Sequence, residues 1–388
     1  MGLIKTLAGQ FAKIKVIGIG GGGNNAINSM ISQDSIKGVD FIALNTDSQA
    51  LLNSLSPIKL QIGEKLTKGL GAGGNPQVGQ QAAEESREKI KEILEGADLV
   101  FITGGMGGGT CTGAAPVIAE IAKKDLGILT VAVVTKPFVF EGTRRMTNAE
   151  EGISRLRPNV DTLVIIPNQK VIEVVNSEVT LLEAFQIADS VLHKGTKAIA
   201  DLITTPGLIN LDFADIKSVM SNAGSALMGV GEAEGDDKAR KAVQMAIESP
   251  LVDVNIEGAR GILINIAGGP DLTMAEIEET AKAITEHSAP DANIIFGTTI
   301  DPELKGKIKV TCIATGFDTS RPFYSSKQKN ISPAATPQTP TNPTSSVTPP
   351  TENQLSPDFQ KLIQDQNIPA GLEIVDEFDI PAFLRKNQ

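Results

Sequence analysis

The sequence is poor in the residues on which several classes of protein depend. Of its 388 residues, none is tryptophan, one is tyrosine, two are cysteine and two are histidine. With so few aromatic rings to stack on bases, binding of single-stranded nucleic acid is not expected. The two cysteines, Cys111 and Cys312, provide neither a disulfide framework nor the ligand spacing of a zinc site, which favours a reducing compartment such as the cytoplasm.

Positive charge is also scarce. Lysine and arginine total 35 residues against 46 aspartate and glutamate, for a formal net charge of -11. Such a chain lacks the basic surface that nucleic acids require, and an acidic surface is compatible with divalent metal ions. No apolar run is long enough to span a bilayer. The composition therefore predicts a soluble cytoplasmic protein that does not bind nucleic acid.

Short apolar segments alternate with amphipathic ones from Lys13 to about Thr135. The predicted strands are KIKVIGIG, VDFIALNT, ADLVFITGG and ILTVAVVTKP, and the helices between them are NNAINSMISQ, GQQAAEESREKIKEILEG and GAAPVIAEIAKKDL. Strands this apolar are typical of a parallel sheet with helices on both faces. The first half of the chain is therefore predicted to be a Rossmann-like α/β domain.

The rest of the chain divides into a second domain and a tail. NVDTLVIIPN adds a strand, a long helix follows from about Thr180 to Thr204, and a smaller α/β domain runs from DFADIKSVMSN to KIKVTCIATGF. After Phe317 the sequence is rich in Ser, Thr, Pro, Gln and Asn, which predicts a disordered linker. Hydrophobic residues return in LEIVDEFDIPAFLRKNQ. A linear binding motif on a tether explains this end better than the alternative, a frayed terminus.

Three glycine-rich turns carry the strongest functional signal. They are GIGGGGNNA after the first strand, GLGAGGNPQVG (Gly69–Gly79) before a helix, and GGMGGGTCTG after ADLVFIT. The first and third turns lie between the carboxyl end of a strand and the amino end of a helix, so all three can converge at one edge of the sheet. Helix amino ends offer free N–H groups and positive partial charge, and such a cradle suits several phosphates rather than one pyrophosphate.

A tight connection explains any one of these turns, but it explains three coordinated turns poorly. The sequence contains no G-x-x-x-x-G-K-[ST] motif and hence no lysine of the kind that holds terminal phosphates. Phosphate charge must then be neutralised by backbone amides, by hydroxyls such as that of Thr110, and by a metal ion.

Residues farther along the chain can select a base. Asn168, at the end of VIIPN, can hydrogen-bond the edge of a purine, and the Asp189 carboxylate can accept from N1–H and the exocyclic amine of guanine. Adenine lacks that pair of donors. Phe185 lies four residues before Asp189 on the same helix face and can stack on the base. A loop-capping Asn, a solvent-facing Asp and a core Phe remain open alternatives.

An ordered set of motifs resembles the FtsZ branch of the tubulin/FtsZ family, the cell-division GTPases of bacteria and plastids. These motifs are GIGGGGNNA, NTDSQAL, GLGAGGNPQVG, GGMGGGTCTGAAP, VVTKPFVFEGTRRM, GLINLDFADIK and DIPAFLRK. Together with the composition, the resemblance divides the chain into a GTP-binding domain (1–180), a central helix (181–204), a catalytic loop and following helix (205–220), a C-terminal α/β domain (221–317), a disordered linker (318–370) and a partner-binding peptide (371–388).

The resemblance also implies a role for each residue of a GTP site. The first loop would contribute Gly21, Gly22 and Asn25, and the second loop would place Ala72, Gly73 and Gly74 at the γ-phosphate. The α- and β-phosphates would be held by Gly107, Gly108, Gly109 and Thr110, with Glu141 on the ribose and Arg145 on the phosphates. Guanine would be held by Asn168, Phe185 and Asp189. No metal ligands are assigned to the protein, because Mg²⁺ would be held mainly by phosphates and water.

One position departs from the family pattern. Where the family usually has GGGTGTG, this chain has GGGTCTG, with Cys111 in place of the glycine. If the backbone there needs a positive φ, the cysteine costs strain of about 1 kcal/mol. The favoured interpretation is that a small side chain fits at this position while the N–H still faces the phosphate. A thiol beside the site would also be open to alkylation.

Hydrolysis is assigned to a loop beyond the central helix. Asp212 and Asp215 lie three residues apart at a helix start, so their carboxylates share a face, although helix capping explains the same spacing. The resemblance implies that Asn210, Asp212 and Asp215 enter the nucleotide site of the next subunit and polarise the attacking water. It further implies head-to-tail filaments, a midcell division ring, and membrane-tethering partners bound by Asp379–Arg385, so that membrane contact is indirect.

Two other functions agree with part of the sequence. An NAD(P)-dependent oxidoreductase is suggested by Gly18, Gly20 and Gly23 in G-x-G-x-x-G spacing with Asp40 as the ribose acid. It leaves two further phosphate loops without a purpose. A nucleotide-gated scaffold that binds GTP but hardly hydrolyses it is the non-enzymatic alternative.

Overall fold

The structure is a computed structural model that describes residues 12–33, 38–170, 180–204, 212–247 and 258–317. Asn210, the predicted linker (318–370) and the predicted partner-binding peptide (371–388) lie outside the described residues. Within the described part, no helix combines the length and hydropathy needed to cross a membrane.

Strands and helices alternate over most of the described chain. The strands are β1 Ile14–Ile19, β2 Val39–Asn45, β3 Ile58–Gln61, β4 Leu99–Gly105, β5 Leu129–Lys136, β6 Thr162–Pro167, β7 Gly224–Glu234, β8 Gly261–Gly268, β9 Asn293–Ile300 and β10 Lys307–Thr315. The α-helices are α1 Gly20–Gln33, α2 Ser48–Leu52, α3 Glu64–Thr67, α4 Pro76–Glu85, α5 Arg87–Leu94, α6 Thr110–Glu120, α7 Thr143–Leu156, α8 Leu181–Thr204, α9 Phe213–Met220, α10 Lys238–Ile247 and α11 Met274–Thr285.

The strands form one sheet in the order β3-β2-β1-β4-β5-β6-β7-β10-β8-β9. Every pair from β3 to β7 is parallel, as the apolar strands of the first half predict, whereas β10 is antiparallel to both β7 and β8. The two predicted α/β regions therefore share a single sheet. The order reverses direction at β1 and β4, and ligands of open α/β sheets bind at such a switch point.

Helices cover both faces of the sheet, and each face has its own buried cluster. On one face, α4, α5, α6 and α7 bury residues that include Ile90, Ala115 and Ile153. On the other face, α1, α8 and α9 bury residues that include Ile27 and Leu192. Burial on both sides explains why the strands are almost continuously apolar.

The long helix α8 has an apolar face that is only partly buried. Ala188, Leu192 and Ile199 pack in the core at helical spacing, as predicted. Leu182, at the same spacing near the helix start, is 69% exposed. The first turns of α8 also carry Phe185 and Asp189, which line a cleft together with residues of the first and third glycine loops.

Several elements differ from the sequence-based expectation. The helix predicted over GQQAAEESREKIKEILEG is two helices, because Ser86 leaves helical geometry and its hydroxyl accepts a hydrogen bond from Gly63 N–H at 3.1 Å. The short edge strand β3, the helices α2, α3 and α7 and the strand β7 were not predicted. In β7, a Cβ at Gly229 or Gly231 would collide with carbonyl oxygens of α10, so the close packing of this helix requires glycine at both positions.

Candidate functional site

The three glycine-rich loops meet at the carboxyl edge of the parallel strands. A Cβ built on Gly20 would lie 3.4 Å from Thr110, and one on Gly22 would lie 3.5 Å from the Gly105 nitrogen, so the first and third loops touch. A Cβ on Gly109 would come within 2.8 Å of the Ala72 side chain, so the second loop closes on the third. The convergence predicted from the sequence is therefore present.

A cleft of about 450 Å³ opens above these loops. This volume lies in the range of small-molecule sites. The predicted nucleotide contacts that line the cleft are Gly21, Gly22, Asn25, Gly108, Gly109, Thr110, Glu141, Arg145, Asn168, Phe185 and Asp189. The predicted contacts outside its lining are Ala72, Gly73, Gly74 and Gly107.

The predicted contacts outside the cleft have identifiable positions. Gly73 and Gly74 have positive φ angles of 57° and 73° and no heavy atom near a built Cβ, so they form an open rim. The Gly107 N–H donates to the Thr112 hydroxyl at 2.9 Å and is thus directed into the protein. A positive φ of 106° keeps this position for glycine.

Cys111 is accommodated without backbone strain. It lies in the first turn of α6 and is absent from the described non-glycine residues with positive φ. Its side chain is 4% exposed and packs against Gly104, where a Cβ would approach the sulfur to 2.6 Å. Burial raises the pKa of the Cys111 thiol to about 12. The small-side-chain interpretation is favoured, and the expected alkylation is disfavoured because a buried thiol with a raised pKa is unreactive.

One end of the cleft has the chemistry to read a base. Asn168 is buried, and its side-chain oxygen has no hydrogen-bond partner among the described residues. Burial raises the pKa of Asp189 to about 7, and a hydrogen bond from the Asn25 side chain acts in the opposite direction. Phe185 is 39% exposed, and its ring makes an edge contact with Phe138 at a centroid distance of 5.4 Å. The alternative of a purely core phenylalanine is therefore disfavoured.

An ion pair between Glu141 and Arg145 also lines the cleft. The Glu141 carboxylate contacts the Arg145 guanidinium, and it also accepts a hydrogen bond from the Phe138 N–H at 2.9 Å. The Glu141 side chain is mostly buried, whereas the side chain of Arg145 is largely exposed. Glu141 is thus fixed in place, while Arg145 keeps donors available to a ligand.

The acidic helix start lies outside the cleft. Asp212 and Asp215 are both exposed, and neither lines the cleft. Asp212 occupies the N-cap position of α9, but its side chain accepts no capping hydrogen bond there. The capping alternative is therefore disfavoured, and the chain does not bring these carboxylates into its own site.

Comparisons with known proteins agree with this arrangement. Residues 13–176 match the GTPase domain of the tubulin/FtsZ family, and residues 224–318 match the C-terminal domain of the FtsZ family. An FtsZ dimer from M. jannaschii is 49% identical with a TM-score of 0.77, over 81% of this chain and 91% of that chain. The chain belongs to the FtsZ family.

More distant structures share the fold with the FtsZ family. CetZ1 and CetZ2 from Haloferax volcanii are 21% and 20% identical to this chain, with TM-scores of 0.67 and 0.65. CetZ1 covers 79% of this chain and CetZ2 covers 78%. At this level of identity the comparison supports the fold and nothing finer.

Membership of the FtsZ family and the position of Asp40 both oppose the oxidoreductase alternative. Asp40 is the second residue of β2 and pairs in register with Lys15 near the start of β1. The acid that binds a dinucleotide ribose must stand near the carboxyl ends of the strands, beside the glycine loop. Asp40 instead lies near the amino ends of the strands, away from the glycine loop.

Some residues of the site were missed in the sequence. Thr135, near the end of β5, Pro137, just after β5, and Ala188 and Leu192, on α8, also line the cleft. Their position at the carboxyl end of a predicted parallel strand or close to Asp189 on the predicted long helix is a signal that could have found them. Thr46, in the quoted motif NTDSQAL, was given no role although it contacts two of the loops.

Proposed function

We propose that this chain is a GTPase that assembles head to tail, with each hydrolytic site completed by the acidic helix start of the next subunit. The observation that carries this proposal is that the candidate hydrolytic residues lie apart from the candidate nucleotide cleft. The residues suited to base, ribose and phosphates line one cleft, while the exposed, uncapped Asp212 and Asp215 stand outside it.

Guanine selection rests on Asp189 and its neighbours. An ionised Asp189 accepts from two adjacent donors of guanine, and Asn168 brings an unsatisfied amide to the same end of the cleft. Stacking on Phe185 adds contact with the flat face of the base. Adenine would leave the carboxylate facing an acceptor, so adenine nucleotides bind poorly in this proposal.

Phosphate binding rests on backbone groups rather than on a lysine. The amino ends of α1 and α6 lie at the cleft, where their free N–H groups and positive partial charge favour phosphate oxygens. Arg145 adds a side-chain cation. Among the described residues, no group of three or more His, Cys, Asp or Glu side chains could hold a metal ion. In this proposal Mg²⁺ is held mainly by phosphate oxygens and water.

The attacking water needs a group that the cleft does not offer. The Glu141 carboxylate is occupied by Arg145 and Phe138, and Asp189 lies at the base end. The side chains of Asp212 and Asp215 are exposed, and in this proposal they polarise a water in the site of a neighbouring subunit. A contact of this kind is heterologous and propagates into an open filament.

The remaining proposals concern the cell. One of the similar solved structures is a dimer of FtsZ, which supports self-association. By family, the filaments would form the ring at the division site, and the terminal Asp379–Arg385 would bind membrane-tethering and regulatory proteins.

Mixing two inactive variants tests completion in trans. Asp212→Ala keeps the cleft but lacks the acid, and Asp189→Ala keeps the acid but impairs the cleft. Each alone should release phosphate about a hundredfold more slowly than the unaltered chain. In an equimolar mixture, half of the subunits have an intact cleft, and half of their neighbours carry Asp212. About a quarter of the sites are then complete, so the mixture should recover up to about a quarter of full activity.

The matched control is Asp236→Ala, which removes an exposed carboxylate elsewhere and should leave phosphate release unchanged. No recovery in the mixture, with both variants folded and co-sedimenting, would place hydrolysis within one subunit. Full assembly of the unaltered chain with negligible phosphate release would favour the scaffold alternative instead.

A further inference from the structure

The turn Asn45–Ser48, which connects the end of β2 to the start of α2, contacts all three glycine loops. We propose that Thr46, within this turn, is a positioning residue that couples the second loop to the third and so links occupancy of the terminal phosphate to the rest of the site. This inference rests on the proposed nucleotide site.

The link to the third loop is a pair of hydroxyl groups. The Thr46 and Thr110 hydroxyl oxygens lie 2.7 Å apart, within hydrogen-bond distance. Thr110 is the first residue of α6 and lines the cleft, whereas Thr46 is fully buried and does not line it. The Thr46 hydroxyl therefore acts on a ligand through Thr110 and not by direct contact.

The link to the second loop is made by the backbone of the same turn. The Thr46 carbonyl oxygen accepts from the Gly71 N–H at 3.2 Å, and Asp47 forms an isolated β-bridge with Leu70. The Ser48 N–H donates to the Gly69 carbonyl at 3.1 Å. The first residues of the second loop are thus hydrogen-bonded to the turn, whereas no heavy atom lies near a Cβ built on Gly73 or Gly74.

The first loop is linked to the same turn by a hydrogen bond between two asparagine side chains. The buried Asn24 side chain, in the amide orientation that its neighbours require, donates to the carbonyl oxygens of Gly18 at 2.9 Å and Gly20 at 3.2 Å. It accepts from the Asn45 side chain at 3.2 Å. Buried polar networks with every member satisfied hold their parts in one arrangement.

The consequence is a difference between nucleotides. In the proposed site, GDP would engage the first and third loops, whereas GTP would also need the second loop at its terminal phosphate. Without the Thr46 hydroxyl, the second loop keeps its bonds to the turn, but the turn is no longer tied to Thr110. Binding of GTP should then suffer more than binding of GDP.

The test compares Thr46→Val, which removes the hydroxyl at nearly constant shape, with Thr46→Ser, which keeps it. Affinities for GDP and for a GTP analogue with a methylene bridge between the β- and γ-phosphates are measured by calorimetry on dilute monomer. Thr46→Val should lower the ratio of analogue affinity to GDP affinity about fivefold, the fold-change of one hydrogen bond. Thr46→Ser should restore the ratio.

Thr130→Val is the matched control. It removes another fully buried hydroxyl, which donates to the Ile128 carbonyl at 2.9 Å near the start of β5, at the sheet edge opposite the cleft. It should lower the melting temperature to a similar degree without changing the affinity ratio. An equal loss of both affinities in Thr46→Val, or no rescue by Thr46→Ser, would overturn the coupling.

A second measurement needs no variant, so it applies even if Thr46→Val does not fold. Amide hydrogen exchange at Gly71 should slow when GDP binds the unaltered chain, although GDP itself does not reach the second loop. Unchanged exchange at Gly71 in the GDP complex would overturn the inference and leave the proposed function standing. Failure of the unaltered chain to bind guanine nucleotides would overturn both.

Discussion

At the scale of residues, the protonation of Asp189 gives the most direct test of guanine binding. Burial raises its pKa to about 7, so the carboxylate is partly protonated near neutral pH in the empty cleft. A group with a raised pKa in the folded protein contributes stability that is present at low pH and lost as the pH rises through 7. Guanine donors require the ionised form, so binding has the opposite pH dependence to stability.

This gives a prediction for affinity. Between pH 6 and pH 8, the affinity for GDP should rise about tenfold as Asp189 ionises, and Asp189→Asn should bind weakly with little pH dependence. Fluorescence titration with a labelled GDP measures both. A flat profile for the unaltered chain would remove Asp189 from the base contact.

Cys111 supplies a second prediction at this scale. Replacing it by the family's usual glycine puts glycine into a helix and removes a buried sulfur, so Cys111→Gly should lower the free energy of unfolding by about 1–2 kcal/mol. Urea unfolding measures the change. Nucleotide affinity should change little, since the backbone N–H groups remain, and a large loss of affinity would show that the thiol takes part in binding.

The position of three predicted base-binding residues at the cleft was predictable from the sequence. Asn168 ends a predicted strand, Phe185 and Asp189 share a helix face, and all three line the cleft. Their contact with a base stays a prediction. The direction of a backbone N–H was not predictable in the same way. Gly107 was expected to hold phosphate, but its N–H turns to Thr112 through local geometry that the pattern GGMGGG does not specify.

At the scale of elements, the starts of α9 and α11 differ in side-chain capping. Asp212 accepts no capping hydrogen bond, whereas Thr273 at the start of α11 accepts one from the Glu276 N–H in a capping box. Asp212→Ala should therefore change the free energy of unfolding by less than about 0.5 kcal/mol, while Thr273→Ala should cost about 1 kcal/mol. Equal costs in urea unfolding would restore the capping interpretation of Asp212.

Strand β7 was not predicted from the sequence because its glycines are required by tertiary packing and not by a local pattern. The helix α10 lies directly on the strand and leaves no room for a Cβ at Gly229 or Gly231. Gly231→Ala should destabilise the protein by about 1–3 kcal/mol through overpacking. Gly108→Ala, whose Cβ would enter open space, is the stability control and should unfold like the unaltered chain.

At the scale of the whole molecule, one sheet carries both predicted α/β regions, and the cleft sits where its strand order reverses. The alternation of apolar strands and helices predicted the parallel half of this sheet. The antiparallel half depends on the pairing of β10 with β7 and β8, which no local pattern specifies. The predicted domain boundaries remain predictions.

The central claim is that a single subunit holds a nucleotide site whose hydrolytic group belongs to its neighbour. The most direct measurement is phosphate release per molecule over a dilution series, with sedimentation on the same samples. Release per molecule should be negligible in dilute monomer and rise steeply at the concentration where sedimentable polymer appears. A rate per molecule that stays constant from dilute monomer to dense polymer would contradict the account.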